Sequence, residues 1–145
     1  MIRIIALGKI KEEYLKEAIN DYVKRLSKYH KVEIIELKDD EDILKEESQI
    51  LKYIDNKDYN IALDIQGTKV SSTDLAMLVD NTFTHFGNIN FIIGSSNGLS
   101  DKIKSMVQFR MSFGDITLPH GLFRVVLLEQ IYRAFKINNH ESYHK

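Results

Sequence analysis

A loop rich in glycine and serine, residues 94–98, follows an apolar run and precedes a polar segment that is typical of a helix. Loops of this kind often hold a phosphate group or a nucleotide, because their backbone N–H groups point at the ligand. The spacing is not that of a Walker A motif, since three residues separate Gly94 from Gly98 and Leu99 follows. Without lysine or arginine, the loop is a poor site for a polyphosphate, and a plain turn remains the alternative.

The elements on either side of this loop alternate between strands and helices. Hydrophobic periodicity predicts strands at 2–7, 31–37, 59–65, 89–94 and 107–114, and helices at 11–28, 42–54, from Ser71 onward, 100–106 and 120–137. This order predicts an α/β fold, with a mainly parallel sheet and helices on both faces. Ligands of such sheets bind at the carboxyl ends of the strands, so segments 64–67, 94–98 and 113–115 are expected to line a site.

Composition narrows the class of protein further. The chain has 145 residues, of which 43% are hydrophobic, which predicts one domain over 1–145 with a buried core. It has no cysteine, which excludes a disulfide framework and a thiolate metal site. The sequence shows neither a signal-peptide pattern nor a membrane-length apolar run, so a soluble cytoplasmic protein is expected. The net charge is −1, with the basic residues concentrated toward the two ends.

Several stretches occur together in one order: ALDIQGTKVSS (62–72), FIIGSSNGL (91–99), SFGDITLPHGLFRVVLLEQIYRAF (112–135) and YHK (143–145). With the opening segment 2–29, they resemble the ribosomal RNA large-subunit methyltransferase H family over nearly the whole chain. The resemblance implies a SPOUT α/β-knot fold with a C-terminal trefoil knot. It also implies a homodimer that methylates N3 of pseudouridine-1915 in 23S rRNA within the ribosome, with no DNA or membrane partner.

The same resemblance implies S-adenosylmethionine as the methyl donor, without a metal. Matching the family pattern gives a cofactor set of Leu63, Gly94, Phe113, Gly114, Asp115, Ile116, Thr117 and Leu118. The donor has no phosphate, which is compatible with a loop that lacks basic residues. One residue departs from the family pattern, because Ser95 stands where a second glycine is usual. We expect this serine either to narrow the loop or to add a hydroxyl donor.

The chain end and the last predicted helix hold the candidate catalytic residues, which the resemblance places on the substrate side. Tyr143 could stack on a base, His144 could position or deprotonate it, and Lys145 could contact phosphate. The alternative is a frayed terminal tail. Arg133 is either an RNA contact or the ion-pair partner of Glu129, four residues earlier.

The remaining polar residues fit simpler roles. Arg124 and Arg110 are open between RNA contact and a structural role, and His120 is expected to begin the last helix. His140 and His144 are four residues apart, but the surrounding sequence is a poor helix, so no metal site is expected there. One alternative function is a ribosome-binding protein of this fold that has lost catalysis. Another is a flavodoxin-like or receiver-like domain, although the receiver's acidic cluster is missing after the first strand.

Overall fold

The computed structural model describes residues 1–143 and shows a five-stranded sheet in which every strand pair is parallel. The order of the strands across the sheet is β2-β1-β4-β3-β5. In chain order, the elements are β1 (Ile2–Leu7), α1 (Glu13–Leu26), β2 (Val32–Leu37), α2 (Ile43–Leu51), β3 (Tyr59–Lys69), α3 (Ser72–Phe83), β4 (Ile89–Ile93), α4 (Asp101–Met106), β5 (Phe109–Ser112) and α5 (His120–Asn138). The predicted parallel α/β fold is therefore confirmed, while the trefoil knot stays a prediction.

Side chains that alternate along the central strands form two apolar layers, because successive residues of a strand point to opposite faces. Ile4 and Phe91 belong to the cluster that also contains the buried residues of α1, α3 and α5. Ile5 and Ile92 belong to a second cluster with Ile50 of α2 and buried residues of α4. Helices cover both faces of the sheet, as the sequence predicts. No helix in the described part of the chain is long and apolar enough to cross a membrane.

Strand β3 runs farther than its sequence predicts. It was expected to end in a turn at Gln66 and Gly67, but it continues to Lys69 after an irregularity, since Leu63 and Thr68 both pair with Met111 of β5. A Cβ at Gly67 would lie 2.7 Å from the backbone carbonyl carbon and oxygen of Arg110. Gly67 therefore serves close backbone approach at a bulge, rather than a turn that ends the strand.

Arg124 joins α5 to the carboxyl end of β1, although its position among apolar residues left it open to a role in RNA contact. Its side chain is buried and donates to the carbonyl oxygens of Leu7 (3.1 Å) and Gly8 (2.7 Å). It also forms a 2.7 Å ion pair with Glu36 of β2, which accepts a further hydrogen bond from the backbone N–H of Ile10. Burial lowers the pKa of Arg124, and the Glu36 carboxylate opposes that shift. Its role in this structure is to hold elements together.

Replacing Arg124 is expected to destabilise the fold strongly. In Arg124→Ala, two carbonyl groups lose a donor and Glu36 keeps only its hydrogen bond from Ile10, and we expect unfolding free energy to fall by about 3 kcal/mol. Urea denaturation measures this loss. The control is Arg25→Ala, because Arg25 is exposed and pairs with Asp21 on the same helix. An exposed pair contributes little, so this control should unfold at nearly the wild-type urea concentration. Equal effects of the two substitutions would contradict the role given to Arg124.

His30 packs between two aromatic rings beyond the end of α1. Its ring stacks on Phe83 at 4.0 Å and lies 5.7 Å from Phe135, both measured between centroids. Burial, with a smaller contribution from the N-terminal ammonium group, lowers the pKa of His30. The folded protein therefore binds a proton at this site less readily than the unfolded chain does.

This shift predicts a loss of stability in acid. His30 keeps its full contribution above the unfolded pKa of about 6.5, and loses it as the pH falls toward the lower folded value. We expect His30→Phe, which keeps an aromatic ring but does not titrate, to lose less stability between pH 7.5 and pH 5.5 than the wild type. Denaturant midpoints at the two pH values test this. His85→Gln, at an exposed position, is the control and should keep the wild-type pH dependence.

Candidate functional site

A cavity of about 420 Å³ opens at the carboxyl ends of β4 and β5, beside the irregularity in the middle of β3. This volume lies within the range of small-molecule sites. Its walls come from residues 63–65 of β3, the glycine loop after β4, segment 111–118 at the end of β5, and His120 and Phe123 at the start of α5. The parallel order of the strands brings these distant segments to the same edge of the sheet.

The predicted cofactor residues converge at this cavity with one exception. Seven of the eight line it: Leu63, Gly94, Phe113, Gly114, Ile116, Thr117 and Leu118. The eighth, Asp115, belongs to the same loop but forms a 3.0 Å ion pair with Lys69 at the surface. Gln66 and Gly67, which were expected at the site, instead line a separate groove along β5, because the bulge keeps this part of β3 within the sheet.

The glycine loop closes on itself more tightly than its sequence indicates. A Cβ at Gly94 would lie 2.8 Å from both the carbonyl carbon and the carbonyl oxygen of Gly98, closer than any side chain tolerates. The backbone N–H of Gly98 donates to the carbonyl oxygen of Ser95 over 2.9 Å, and Gly98 has a φ of +71°. Gly94 is therefore required for close approach, whereas Gly98 is required for a left-handed backbone conformation.

The loop is also held by Glu46, a residue that the sequence analysis does not predict to be functional. Glu46 of α2 is buried, and its carboxylate accepts a 2.7 Å hydrogen bond from the Ser95 hydroxyl. Ser95 thus acts as a hydroxyl donor, one of the two expectations for this position. Forty-nine residues separate the two partners in sequence, so only a charged residue on the apolar side of α2 could have pointed to the contact.

Apolar groups and backbone form most of the cavity wall. Ile93, Phe113 and Leu118 supply apolar surface, and no lysine or arginine among the described residues lines the cavity. Asp64 is the acidic residue in the lining, and its side chain is only 6% exposed. It lies 3.5 Å from Arg110, which gives that arginine an ion-pair partner on the neighbouring strand. The cavity therefore suits a ligand that carries no phosphate.

The predicted catalytic residues lie elsewhere, as far as the structure describes them. Arg133 forms an ion pair with Glu129 over 3.0 Å, and Tyr143 donates a 3.0 Å hydrogen bond to the same carboxylate. The Arg133 guanidinium lies 4.7 Å from the centre of the Tyr143 ring, which also contacts Tyr132 edge to face. Arg133 of α5 and Tyr143, which follows this helix, thus contact each other and do not line the cavity. His144 and Lys145 lie outside the described residues.

The contacts of Tyr143 fix its protonation state. Burial raises its pKa to about 12, and the hydrogen bond to Glu129 adds to the shift. The phenol is therefore protonated at neutral pH and serves as a hydrogen-bond donor. Residues 1–143 contain no group of three or more His, Asp or Glu side chains arranged to hold a metal ion. His140, one of the two histidines considered for a metal, sits at a turn with φ of 55°.

A parallel sheet covered by helices, with a cavity at its carboxyl edge that no described lysine or arginine lines, defines an α/β protein with a candidate small-molecule site at the strand ends. Sequence comparison identifies the family to which the protein belongs. The family described as "Predicted SPOUT methyltransferase" matches residues 1–144. The chain belongs to the SPOUT methyltransferase family.

Curated relatives carry a more specific name. The chain is 46% identical to the ribosomal RNA large subunit methyltransferase H of Clostridium botulinum strain 657, with 99% of both chains covered. It is 45% identical to the enzyme of the same name from Oenococcus oeni, over 99% of this chain and 98% of the relative. The SpoU methyltransferase AviRb from Streptomyces viridochromogenes, solved in complex with AdoMet, aligns with a TM-score of 0.48 and 8% identity, covering 96% of this chain and 60% of AviRb. Similarity this low transfers nothing from AviRb to this chain.

The tight glycine loop gives a direct test of the cavity wall. Gly94→Ala places a methyl group against the backbone of Gly98, so the loop must open, and we expect a loss of about 1–3 kcal/mol in unfolding free energy. Gly87→Ala is the matched control, because a Cβ there meets nothing within 4 Å. Its stability should equal or slightly exceed that of the wild type. Chemical denaturation compares the two, and a neutral Gly94→Ala would contradict the close approach seen here.

Proposed function

We propose that this protein transfers a methyl group from S-adenosylmethionine to ribosomal RNA. The more specific proposal is N3 of pseudouridine-1915 in 23S rRNA, on the assembled ribosome in the cytoplasm. The observation that carries the proposal is the convergence of the family's cofactor positions on one cavity that no lysine or arginine in residues 1–143 lines. The names of the curated relatives, which are rRNA methyltransferases at about 46% identity over nearly the whole chain, support the substrate class.

The residues of the cavity fit this methyl donor. Apolar side chains such as Leu63, Ile93 and Leu118 offer surface for an adenine ring, and the glycine loops leave backbone N–H and C=O groups accessible to its polar edge. A nucleoside polyphosphate would need cationic side chains, and none of the described lysines or arginines lies in the wall. Asp64 brings a carboxylate to the lining, and its charge is offset by Arg110 (3.5 Å) and Lys104 (3.8 Å), which themselves lie outside the wall.

The chemistry assigns two different tasks to the chain. When bound, the cofactor supplies a methyl group that is already activated for displacement. The cavity loops therefore mainly bind and orient, which accelerates transfer through proximity. The acceptor nitrogen carries a proton, so a group that removes it or stabilises the resulting anion is useful. Tyr143 does not line the cavity of its own chain, so we assign that task to the chain end acting across the proposed homodimer at the cavity of the other subunit. In this assignment His144 is the positioning residue or base, Lys145 contacts phosphate and Tyr143 lies against the substrate base.

Arg133 and Glu129 complete the substrate side in this proposal. Their ion pair holds the Tyr143 phenol through Glu129, which fixes where the last residues of the chain begin. Arg133 stays assigned to the catalytic set as a residue that orients the chain end. The exposed apolar residues beside the cavity support the proposed homodimer. Ile116 is 84% exposed, and Ile65 and Leu122 are exposed nearby, so a second subunit would bury them at the site.

Two measurements test the function. Titration calorimetry of the purified protein with S-adenosylmethionine should show binding, and labelled methyl groups should appear on ribosomes that lack this modification. Binding without transfer to ribosomes of any state would favour a catalytically inactive ribosome-binding protein of the same fold. The absence of cofactor binding would overturn the proposal. Naked 23S rRNA should be a poorer substrate than intact ribosomes, since the described surface has no large surplus of positive charge.

Variants at the chain end should separate cofactor binding from transfer. We expect His144→Ala, and deletion of residues 143–145, to keep the affinity for S-adenosylmethionine and to lower the transfer rate at least about 100-fold, the range for loss of acid–base catalysis. Calorimetry and single-turnover transfer measure the two quantities on the same preparation. Lys102→Ala, at an exposed site on α4, is the control for charge and should preserve both. Loss of cofactor binding in the His144 variant would contradict the task given to the chain end.

A further inference from the structure

Glu46 is a buried carboxylate under the wall of the candidate site. The residue is 1% exposed, although it lies on a helix whose neighbouring positions carry charges toward solvent. Charged groups rarely occupy such positions unless hydrogen bonds replace the lost water. Each oxygen of Glu46 has a donor: Oε1 accepts from Ser95 and from the Asn97 amide (3.2 Å), and Oε2 accepts from the backbone N–H of Asp40 (3.0 Å).

These hydrogen bonds join the glycine loop to the segment before α2. The Ser95 hydroxyl donates to Glu46 and accepts from the backbone N–H of Asn97 over 3.2 Å, so both capacities of this hydroxyl are used within the protein. The Asn97 side chain donates to the carbonyl oxygen of Asp40 over 2.9 Å. A short loop with glycine at both ends is intrinsically mobile, and this network limits it to one conformation.

The backbone of this loop is also the wall of the cavity. Gly94, Ser95, Ser96 and Gly98 line it, while the Glu46 carboxylate itself does not. Whatever fixes Ser95 and Asn97 therefore fixes the backbone groups that a ligand meets. Preorganisation of this kind strengthens binding because the ligand does not have to order the loop.

We propose that Glu46 is a positioning residue for cofactor binding, which holds the 95–97 wall ready for the ligand through Ser95 and Asn97. The inference rests on the proposed function, since the ligand is the methyl donor assigned there. It also explains the serine at position 95. Glycine at this position would supply no hydroxyl to the buried carboxylate, whereas Ser95 provides a hydrogen bond to it.

The test compares four variants of the full-length protein by titration with S-adenosylmethionine: Ser95→Ala, Glu46→Gln, the double variant and Glu47→Gln. Glutamine keeps the size of Glu46 but has one acceptor oxygen, so it cannot serve Ser95 and Asp40 together. We expect each of the first two to raise Kd about tenfold, the usual effect of losing a hydrogen bond to a charged group. Their effects should be less than multiplicative in the double variant, since both act through one contact. Glu47→Gln, on the same helix, should bind like the wild type.

Two further readouts distinguish positioning from a general loss of stability. Amide hydrogen exchange in the ligand-free Ser95→Ala protein should be faster at residues 95–98 and unchanged in strand β4. The KM for the cofactor should rise, while kcat and the KM for ribosomes stay at wild-type values.

The outcomes separate this inference from the function on which it rests. If the wild-type protein binds S-adenosylmethionine and Ser95→Ala binds equally well, the positioning role is wrong. Multiplicative effects in the double variant, or faster exchange spread over the whole sheet, would also overturn it. If the wild-type protein does not bind the cofactor, the proposed function fails instead. Should Glu46→Gln not fold, Ser95→Ala decides alone, because its side chain is small and only half-buried.

Discussion

The buried guanidinium of Arg124 is the constraint on which the geometry of the site depends. It reaches from the first turn of α5 to the carbonyl groups that end β1 and to Glu36 on β2. The segment from β5 to α5, which forms one wall of the cavity, is thereby held at both ends. Its front end is paired in the sheet, and its far end is fixed by Arg124, whose side chain is enclosed while its partner Glu36 remains 35% exposed.

A second buried charge, the Glu46 carboxylate, holds the opposite wall of the cavity. Glu46 accepts hydrogen bonds from the glycine loop and from the segment before α2, on the face of the sheet away from Arg124. The interior between the two charges is apolar, with Ile4 and Ile5 pointing to opposite layers. Hydrophobic burial therefore packs the helices against the sheet. It does not fix the geometry of the loops, because the hydrophobic effect is not directional. Arg124 and Glu46 add directional hydrogen bonds at the edge of the sheet where the loops meet.

Much of the fold could be predicted because it depends on local sequence patterns. Short apolar runs located the strands, and the Ser71–Asp74 capping box located the start of α3, where both reciprocal hydrogen bonds are present. The bulge of β3 could not be predicted, because it depends on the backbone of Gly67 lying against Arg110 on another strand. The Glu46–Ser95 contact could not be predicted either, because its two residues lie far apart in sequence. The cofactor positions meet at one cavity because of the order of the strands in the sheet. The geometry of the cavity walls depends on these long-range contacts.

The chain end is held by a different kind of interaction. Glu141 accepts from Tyr29 (2.6 Å) and pairs with Lys136 (3.0 Å), which lowers its pKa to about 2, and Tyr143 is held by Glu129. The side chains of these ion pairs are 14% to 32% exposed, and Glu36, the partner of Arg124, is 35% exposed, so both sets of pairs lie between the interior and solvent. Partly exposed ion pairs therefore hold both ends of α5, whereas the carboxylate that holds the glycine loop is enclosed and depends on its hydrogen-bond donors alone.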